Sequence, residues 1–193
     1  SNREGYDLDF LGSGARRVPL PQLTASQRAD AASLTDDPED IELRYHHYSV
    51  VMNGKRRLAF FTAVNIHGKQ AASPPRDPDK WSFDPRISRT LQAGEDLYAA
   101  NDLDRGHLVR RLDPAWGRTA AVIKRANDDT FHFTNCSPQH KLFNQGKNLW
   151  AGLEDYLLNK ATGEERRMIV FTGPIFTGAD PLYRGIRIPN RYW

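Results

Sequence analysis

The chain has 193 residues and a mass of 22.0 kDa, which is enough for one domain with a buried core. Its formal net charge of +3 and pI near 9.1 are compatible with a polyanionic partner but do not require one. The single cysteine, Cys136, excludes an internal disulfide, and no apolar run reaches the roughly 18 residues of a membrane span. The composition favours an intracellular protein but does not fix a compartment.

Residues 1–44 are polar and rich in turn-forming residues. They predict an irregular N-terminal segment that contains one short helix over 26–34, with Thr24 or Ser26 as its N-cap. No signal peptide is visible. The first two residues resemble the remnant of a cleaved tag, so this absence says little about targeting.

The first strong secondary-structure pattern covers residues 45–64. Two apolar stretches flank Asn53-Gly54 and predict a β-hairpin, in which the Asn-Gly pair supplies the positive φ angles of a tight turn. His46 and His47 would be neighbours on the first strand. Their side chains would then point to opposite faces and could not bind one metal together, so we interpret both as structural.

A loop follows over residues 68–80, with three prolines and the cations Lys69, Arg76 and Lys80. Long polar loops inside a compact domain are often functional, and a basic one can contact phosphates. A solvated surface loop without a function is the alternative.

The most informative stretch is Asp104-Arg105-Gly106-His107. Histidine has an unperturbed pKa of about 6.5 and can accept a proton near neutral pH, whereas arginine offers a rigid fork of donors that fits phosphate oxygens. Glycine allows a bend or a close approach of the backbone. Arg110 and Arg111 follow and make this the densest cationic patch of the chain. By itself, a charged turn with an exposed histidine would explain the same four residues.

The remaining elements are predicted as a helix over 118–126 with Asn127 as C-cap, a strand over 131–134, a helix over 148–161 and a buried strand over 168–172. On the helix over 148–161, one apolar stripe would contain Leu149, Leu153, Tyr156 and Leu157. A second would place Glu154 between Trp150 and Leu158. Glu154 is either part of an ordinary salt bridge or a functional carboxylate.

The sequence excludes several chemistries. A zinc cage does not fit one cysteine and no close pair of helical histidines. The chain also lacks a P-loop, a dinucleotide fingerprint and a Gly-x-Ser-x-Gly elbow. A hard cation held by the amide oxygen of Asn144, with Glu154 acting through water, remains compatible. Together with a histidine base and adjacent arginines, this set suits hydrolysis of a phosphodiester.

An ordered set of motifs then resembles one family, the DNA/RNA non-specific endonucleases, which are ββα-metal nucleases. The resemblance runs from about residue 45 to the end, roughly three quarters of the chain. It implies an α+β fold in which helices flank a central antiparallel sheet, with a ββα-metal catalytic unit in a single nuclease domain over 1–193. The motifs are Asp104-Arg105-Gly106-His107, Asn135-x-x-Pro138-Gln139, Asn144-Gln145, Trp150, Leu153-Glu154, Val170-Phe-Thr-Gly173-Pro174 and Ile188-Pro189-x-x-Tyr192-Trp193.

The resemblance also implies roles for individual residues. His107 would be the general base, and Asn144 would be the one direct protein ligand of Mg²⁺, with Mn²⁺ or another divalent cation as the alternative. Glu154 would act through metal-bound water, and Asn135 would help to position the catalytic residues. Arg105 would orient the site and contact phosphate, which makes it both a catalytic and a nucleic-acid-binding candidate. Arg76, Lys80 and Arg110 are the other nucleic-acid-binding candidates.

The implied activity is cleavage of DNA and RNA with little sequence preference, leaving 5′-phosphate ends. A nuclease restricted to one nucleic acid and a degenerate member that binds without cutting are the alternatives. No membrane partner is implied, and a homodimer is allowed. The family continues with a strand after Tyr192-Trp193, so we expect either a truncated C-terminus or a second chain or segment that supplies this strand.

Three positions depart from the family pattern. Asn144 and Glu154 are ten residues apart instead of eight, which in a continuous helix would rotate the carboxylate by about 200° and shift it by about 3 Å. Glu154 can therefore act only if residues 146–148 loop out before the helix begins. Leu158 replaces an arginine, and Arg76 is the nearest counterpart of an upstream arginine.

Overall fold

The computed structural model describes residues 3–193. The first two residues, interpreted above as a tag remnant, lie outside the described residues. The strands are β1 (Glu42–Arg44), β2 (Tyr48–Asn53), β3 (Leu58–His67), β4 (Leu103–His107), β5 (Cys136–His140), β6 (Arg167–Thr172), β7 (Leu182–Tyr183) and β8 (Ile186–Arg187). The α-helices are α1 (Ala25–Ala29), α2 (Glu95–Tyr98), α3 (Ala120–Asp129), α4 (Lys141–Asn144) and α5 (Trp150–Gly163).

A four-stranded antiparallel sheet with the strand order β1-β2-β3-β6 forms the centre of the fold. Both faces of β2 and β3 are buried. One face places Val50 and Val64 in a core with Ala161 of α5. The opposite face packs Phe61 against Leu23 of the N-terminal segment. Burial on both faces explains why these two strands read as nearly continuous apolar runs in the sequence.

Strands β4 and β5 form a separate antiparallel hairpin, in which Asp104 lies opposite Gln139 and His107 lies opposite Cys136. The chain then passes through α4, turns over residues 145–149 and enters α5. This turn includes residues 146–148, which were expected to loop out because Asn144 and Glu154 are ten residues apart. A central antiparallel sheet, flanking helices and a ββα unit together confirm the predicted α+β fold class.

The N-terminal predictions were partly wrong. The helix α1 is capped by Thr24 through a capping box with Gln27, but it ends at Ala29. Residue 31 instead forms a bridge to Asn53 of the central sheet, which stops the helix. The segment before residue 45 also contributes β1, whose register follows from pairing with β2.

The hairpin over β2 and β3 is confirmed, but its turn differs from the prediction. Arg57, rather than Gly54, has a positive φ, of 60°. His46 and His47 were wrongly placed on the first strand, because they lie in the turn between β1 and β2. They still have separate partners: Nδ1 of His46 lies 2.8 Å from Asp129 and Nδ1 of His47 lies 2.8 Å from the carbonyl oxygen of Pro114.

Two further predictions need correction. The helix predicted over 118–126 is α3, which Thr119 caps and which extends through Asn127 to Asp129. The strand predicted over 131–134 was wrong, because residues 133–135 form a 3₁₀ turn and the strand β5 begins at Cys136. Pairing with β4, and not local β-propensity, therefore selects the strand.

The two apolar stripes predicted on α5 differ in exposure, and the sequence did not indicate which of them faces the core. Leu149, Leu153 and Tyr156 are exposed by 52%, 51% and 59%. Trp150 is buried, and Leu158 packs against the main core. The stripe that contains Glu154 is therefore the inward face, because α5 packs against β3 at its C-terminal half.

The C-terminal residues lie beside the last strand of the central sheet. Trp193 and Gly173 exchange two backbone hydrogen bonds of 2.9 and 3.0 Å, and Arg191 accepts one from Ile175. Within the described residues β6 is the outer strand of the sheet. A segment or second chain that extends this edge, and a homodimer, stay predictions. None of the helices over 3–193 combines the length and the apolar character that a membrane crossing requires.

Candidate active site

The metal-ligand candidate Asn144 is joined to the first strand of the ββα unit through Asp104. The Nδ2 atom of Asn144 donates to Oδ2 of Asp104 at 2.9 Å, and Nε2 of Gln145 donates to the same oxygen at 2.8 Å. Asn144 ends α4, and Gln145 is its C-cap. Because its amide nitrogen is engaged by Asp104, the amide oxygen of Asn144 remains available as a ligand.

These residues fit a hydrated hard cation. The donors near Asn144 are carboxylate and amide oxygens, which Mg²⁺ prefers, and no sulfur ligand is near. Over residues 3–193 no group of three or more His, Cys, Asp or Glu side chains could form a metal cage. A single amide ligand, with water in the other positions, is consistent with that finding.

The base candidate His107 ends β4 and is half-buried in an aromatic setting. Its ring centroid lies 4.8 Å from that of Trp81 and 5.0 Å from that of Phe131, which it meets edge-on. Burial lowers the pKa of His107 to about 4; Asp79 opposes the shift, and neighbouring arginines reinforce it. The imidazole is therefore neutral near pH 7, and its Nε2 atom is buried without a hydrogen-bond partner in the described chain. A neutral ring can act as a base once the attacking water reaches its unprotonated nitrogen.

The predicted phosphate-binding cations are distributed around the hairpin. Arg105 forms an ion pair with Glu95, and Arg110 forms one with Asp155 at 2.5 Å. Arg76 donates to Asp79 at 2.7 and 3.1 Å. Lys80 is exposed and lines a pocket of about 300 Å³ that also contains Arg76 and Phe131. Since Phe131 also contacts His107, this pocket adjoins the base.

The predicted carboxylate, Glu154, faces the loop after β4. Burial is the largest cause that raises its pKa, to about 8, and the nearby Asp113 adds to the shift while Arg110 opposes it. The pKa of Asp113 is raised by burial to about 7, again against the effect of Arg110. Burial and the nearby Asp113 carboxyl both disfavour the charged form, so the protonated form of Glu154 is favoured near neutral pH.

Asn135 has no free amide group with which to touch a substrate. It is fully buried; its Nδ2 atom donates to the carbonyl oxygens of Val109 and Thr130, and its Oδ1 atom accepts from the Val109 nitrogen at 2.9 Å. These bonds tie the start of β5 to the residues after His107. The contacts support a positioning role.

The sequence reasoning gave no role to Gln139. Its side chain is 1% exposed, and neither Oε1 nor Nε2 has a partner within residues 3–193. A Cβ atom on Gly106 would lie 2.2 Å from Oε1 of Gln139. Gly106 is thus needed for close packing in this hairpin. Its place in the motif Asn135-x-x-Pro138-Gln139 marked Gln139 in the sequence, but its position opposite Asp104 required knowledge of the strand register.

The structure brings the predicted residues together in two groups. Asp104 links Asn144 to β4. The charge of Arg110 acts on both His107 and Glu154, so Arg110 connects the base to the helix carboxyl. No hydrogen bond or ion pair within the described residues joins Asn144 directly to Arg105, His107 or Glu154.

Comparisons with known proteins extend this picture. The chain is 48% identical over 201 residues to the uncharacterized protein y4fB of Sinorhizobium fredii, a match that covers 99% of this chain and 30% of that protein. It is 35% identical over 79 residues to the mitochondrial endonuclease G of Homo sapiens, which covers 41% of this chain and 24% of that protein. The chain thus spans less than a third of the length of these relatives.

A solved structure supports the fold. The crystal structure of the EndoG/EndoGI complex matches with a TM-score of 0.64 at 19% identity, over 79% of this chain and 65% of that chain. Residues 28–193 match the family model described as DNA/RNA non-specific endonuclease. Since this match covers most of the chain and includes the ββα unit described above, the protein belongs to the DNA/RNA non-specific endonuclease family.

Proposed function

We propose that this chain is a Mg²⁺-dependent, sugar-non-specific endonuclease that cleaves phosphodiester bonds of DNA and RNA. The observation that carries the proposal is the hydrogen bond between Asp104 and Asn144. It fixes an oxygen donor for a hard cation to the same strand that ends in the neutral base His107. Family membership and the likeness to endonuclease G support the reaction class.

In the proposed reaction, His107 accepts a proton from the attacking water through its unpartnered ring nitrogen. Burial between Trp81 and Phe131 keeps the ring neutral and able to do so. Because the pKa of about 4 makes this base weak, the water must also be activated by its surroundings.

Arg110 is one of the arginines whose charge acts on His107, and Arg105 lies two residues before His107 on β4. In the proposal, Arg105 binds a non-bridging oxygen of the scissile phosphate, and Arg110 stabilises the charge of the transition state. Arg76 and Lys80 contact the nucleic-acid backbone on the side of Phe131, where the pocket of about 300 Å³ opens.

Asn144 holds the cation, Asp104 orients Asn144, and Glu154 contributes through water once it is ionised. The bound cation would supply charge neutralisation at the leaving oxygen. Backbone contacts of this kind carry no sequence information, which is why both DNA and RNA are proposed as substrates. Cleavage of the bond between phosphorus and the 3′ oxygen, which leaves as a 3′-hydroxyl, would give 5′-phosphate ends.

The test is digestion of plasmid DNA and of total RNA by the protein, beside His107→Ala and Asn144→Ala, with Mg²⁺ or EDTA. We expect both substrates to be degraded only with Mg²⁺, and each substitution to reduce the rate by about a hundredfold or more. Circular dichroism of each variant controls for folding. Ligation of the DNA products without prior phosphorylation checks the 5′-phosphate.

Other outcomes would replace the proposal. Degradation of one substrate alone would indicate a nuclease restricted to one nucleic acid. Salt-sensitive binding without any Mg²⁺-dependent product would indicate a degenerate member that only binds. Equal activity of the wild type and His107→Ala would remove the assigned base.

A further inference from the structure

The arginine next to the base is held by a carboxylate outside the predicted site. Nε of Arg105 donates to Oε2 of Glu95 at 3.0 Å, and Nη2 contacts Oε1 of the same carboxylate. This is a side-on ion pair. It leaves the opposite edge of the guanidinium, formed by Nη1 and the second hydrogen of Nη2, without a partner in the described chain. A phosphate can occupy that edge with two parallel hydrogen bonds.

The helix α2 that carries Glu95 is well anchored. Its Tyr98 and Leu97 side chains are buried. At its C-terminal end Nη1 of Arg184 donates to the carbonyl oxygens of Asp96 and Ala99, at 2.7 Å each. Glu95, the first residue of this helix, therefore projects from a fixed backbone although its side chain is 58% exposed.

Helix α2 supplies a second contact to the same guanidinium. The Cζ atom of Arg105 lies 5.6 Å from the ring centroid of Tyr98. Tyr98 is 5% exposed and hydrogen bonded by the thiol of Cys136, which pairs with His107 across the hairpin. A long arginine side chain has many accessible rotamers, and ordering it costs conformational entropy. Two contacts from one rigid element restrict this freedom before a substrate arrives.

We propose that Glu95 is a positioning residue for the nuclease reaction: it holds Arg105 with its free edge directed to the phosphate. The proposal rests on the function proposed above. Glu95 does not touch the substrate, because its carboxylate occupies the side of Arg105 away from that edge. A guanidinium has two edges that form paired hydrogen bonds with phosphate, Nε–Nη2 and Nη1–Nη2, and Glu95 covers the first and leaves the second free.

The first test is steady-state cleavage of a DNA duplex with Mg²⁺ by Glu95→Ala and Glu95→Gln, each in the wild-type and the Arg105→Ala background. We expect Glu95→Ala to lower kcat/KM by about tenfold, with a several-fold rise in KM and the rest of the loss in kcat, since a misoriented Arg105 binds the phosphate less well in both the ground state and the transition state. Glu95→Gln should lose less, because its amide oxygen still accepts one hydrogen bond. In the Arg105→Ala background neither change should matter.

Asp96→Ala is the matched control. Asp96 is exposed, adjacent to Glu95 on the same helix, and its side chain has no ion pair within residues 3–193. The Asp96→Ala substitution removes the same negative charge from α2 but leaves the contacts of Arg105 unchanged, so we expect wild-type kinetics. If Glu95→Ala instead raises kcat/KM, the carboxylate blocks the site and the proposal is wrong. Equal losses with and without Arg105 would also overturn it.

A binding measurement separates this inference from the proposed function. Fluorescence anisotropy of a labelled duplex in EDTA should show weaker binding, by several-fold, for Glu95→Ala in the wild-type background and no change in the Arg105→Ala background. If the wild type cleaves neither DNA nor RNA but this coupling persists, the catalytic proposal fails and the positioning role stands. If the coupling is missing, the positioning role fails.

Discussion

His107 and Glu154 are both withdrawn from water, with opposite consequences for the chemistry that each can perform. Burial disfavours the charged form of both groups, so the pKa of His107 falls to about 4 and that of Glu154 rises to about 8. A neutral imidazole can accept a proton. A neutral carboxyl cannot attract a cation or its bound water.

The charges around the two groups increase the contrast. His107 lies near Arg76 and Arg111, which disfavour an imidazolium, whereas Glu154 lies near Asp113, which disfavours a second carboxylate. Arg110 lies close to both and acts in opposite senses: it keeps His107 neutral and favours ionisation of Glu154. The base is therefore ready in the free protein, and the carboxyl needs added positive charge or a higher pH.

The largest expected effect tests the difference in protonation between His107 and Glu154 directly. At pH 6.5, His107→Ala should lower kcat by about a hundredfold or more, because the base is lost. Glu154→Gln should cost only a few-fold at that pH, because the side chain is already neutral, and the loss should grow towards pH 9. The measurement is the pH dependence of kcat/KM for both variants. Equal losses at pH 6.5 would mean that Glu154 is ionised in the working enzyme.

The second largest effect is expected from substitutions of Asp104. Asp104→Ala removes the acceptor of both Asn144 and Gln145, and we expect a loss of about 10- to 100-fold in Mg²⁺ affinity or activity. Titration of the rate with Mg²⁺ measures it, and a high Mg²⁺ concentration should restore part of the rate. Asp104→Asn keeps an acceptor and should lose less. Identical losses for the two variants would show that the charge of Asp104, and not its orientation of Asn144, matters.

The pH dependence of the free energy of unfolding tests the same difference between His107 and Glu154. The folded protein holds a proton on Glu154 between about pH 4.5 and 8, where the unfolded chain has released it, so this group lowers stability as the pH rises through that window. The slope is at most about 1.4 kcal/mol per pH unit. His107 acts in the opposite sense between about pH 4 and 6.5, where the unfolded chain holds the proton and stability rises with pH.

Urea denaturation at pH 5, 7 and 9 checks these signs. Glu154→Gln should remove part of the decline in the free energy of unfolding above pH 5, and Asp113 should account for much of what remains, since its pKa is also raised, to about 7. A wild-type decline that Glu154→Gln leaves unchanged would contradict the shift.

The smallest effect concerns the two faces of α5. Leu153→Ser on the exposed face should change the free energy of unfolding by no more than about 0.5 kcal/mol. Leu158→Ala on the inward face should cost about 2 kcal/mol, because it leaves a cavity against the core. Thermal denaturation distinguishes the two variants. A large loss for Leu153→Ser would mean that the exposed stripe is covered in solution.

Several of these features could be predicted from the sequence because they depend on residues close together in the chain. The capping box at Thr24, the apolar runs of β2 and β3, and the break between Asn144 and α5 are of this kind. The motif set also indicated the family that the comparisons confirmed. The assigned catalytic and metal-binding roles stay predictions, because they require measurements of activity.

Other features depend on contacts between distant segments. Helical periodicity showed that α5 has two apolar stripes, but only tertiary packing decided that Leu158 faces the main core and that Trp150 packs against Phe143 and Tyr192. The strand β5 was placed several residues too early, because its position follows from pairing with β4. Glu95 received no role, since only the fold brings it to Arg105, ten residues away in the sequence.

The sequence by itself determined the family, the fold class and the identity of the residues that could carry the chemistry, because side-chain types and their spacing are local properties. The tertiary structure decided the protonation states of those residues and the partners that orient them. Burial and charge proximity arise only when distant segments meet. The same fold that favours a neutral imidazole at His107 also favours a protonated carboxyl at Glu154, and neither effect is visible in the sequence segment that contains the residue.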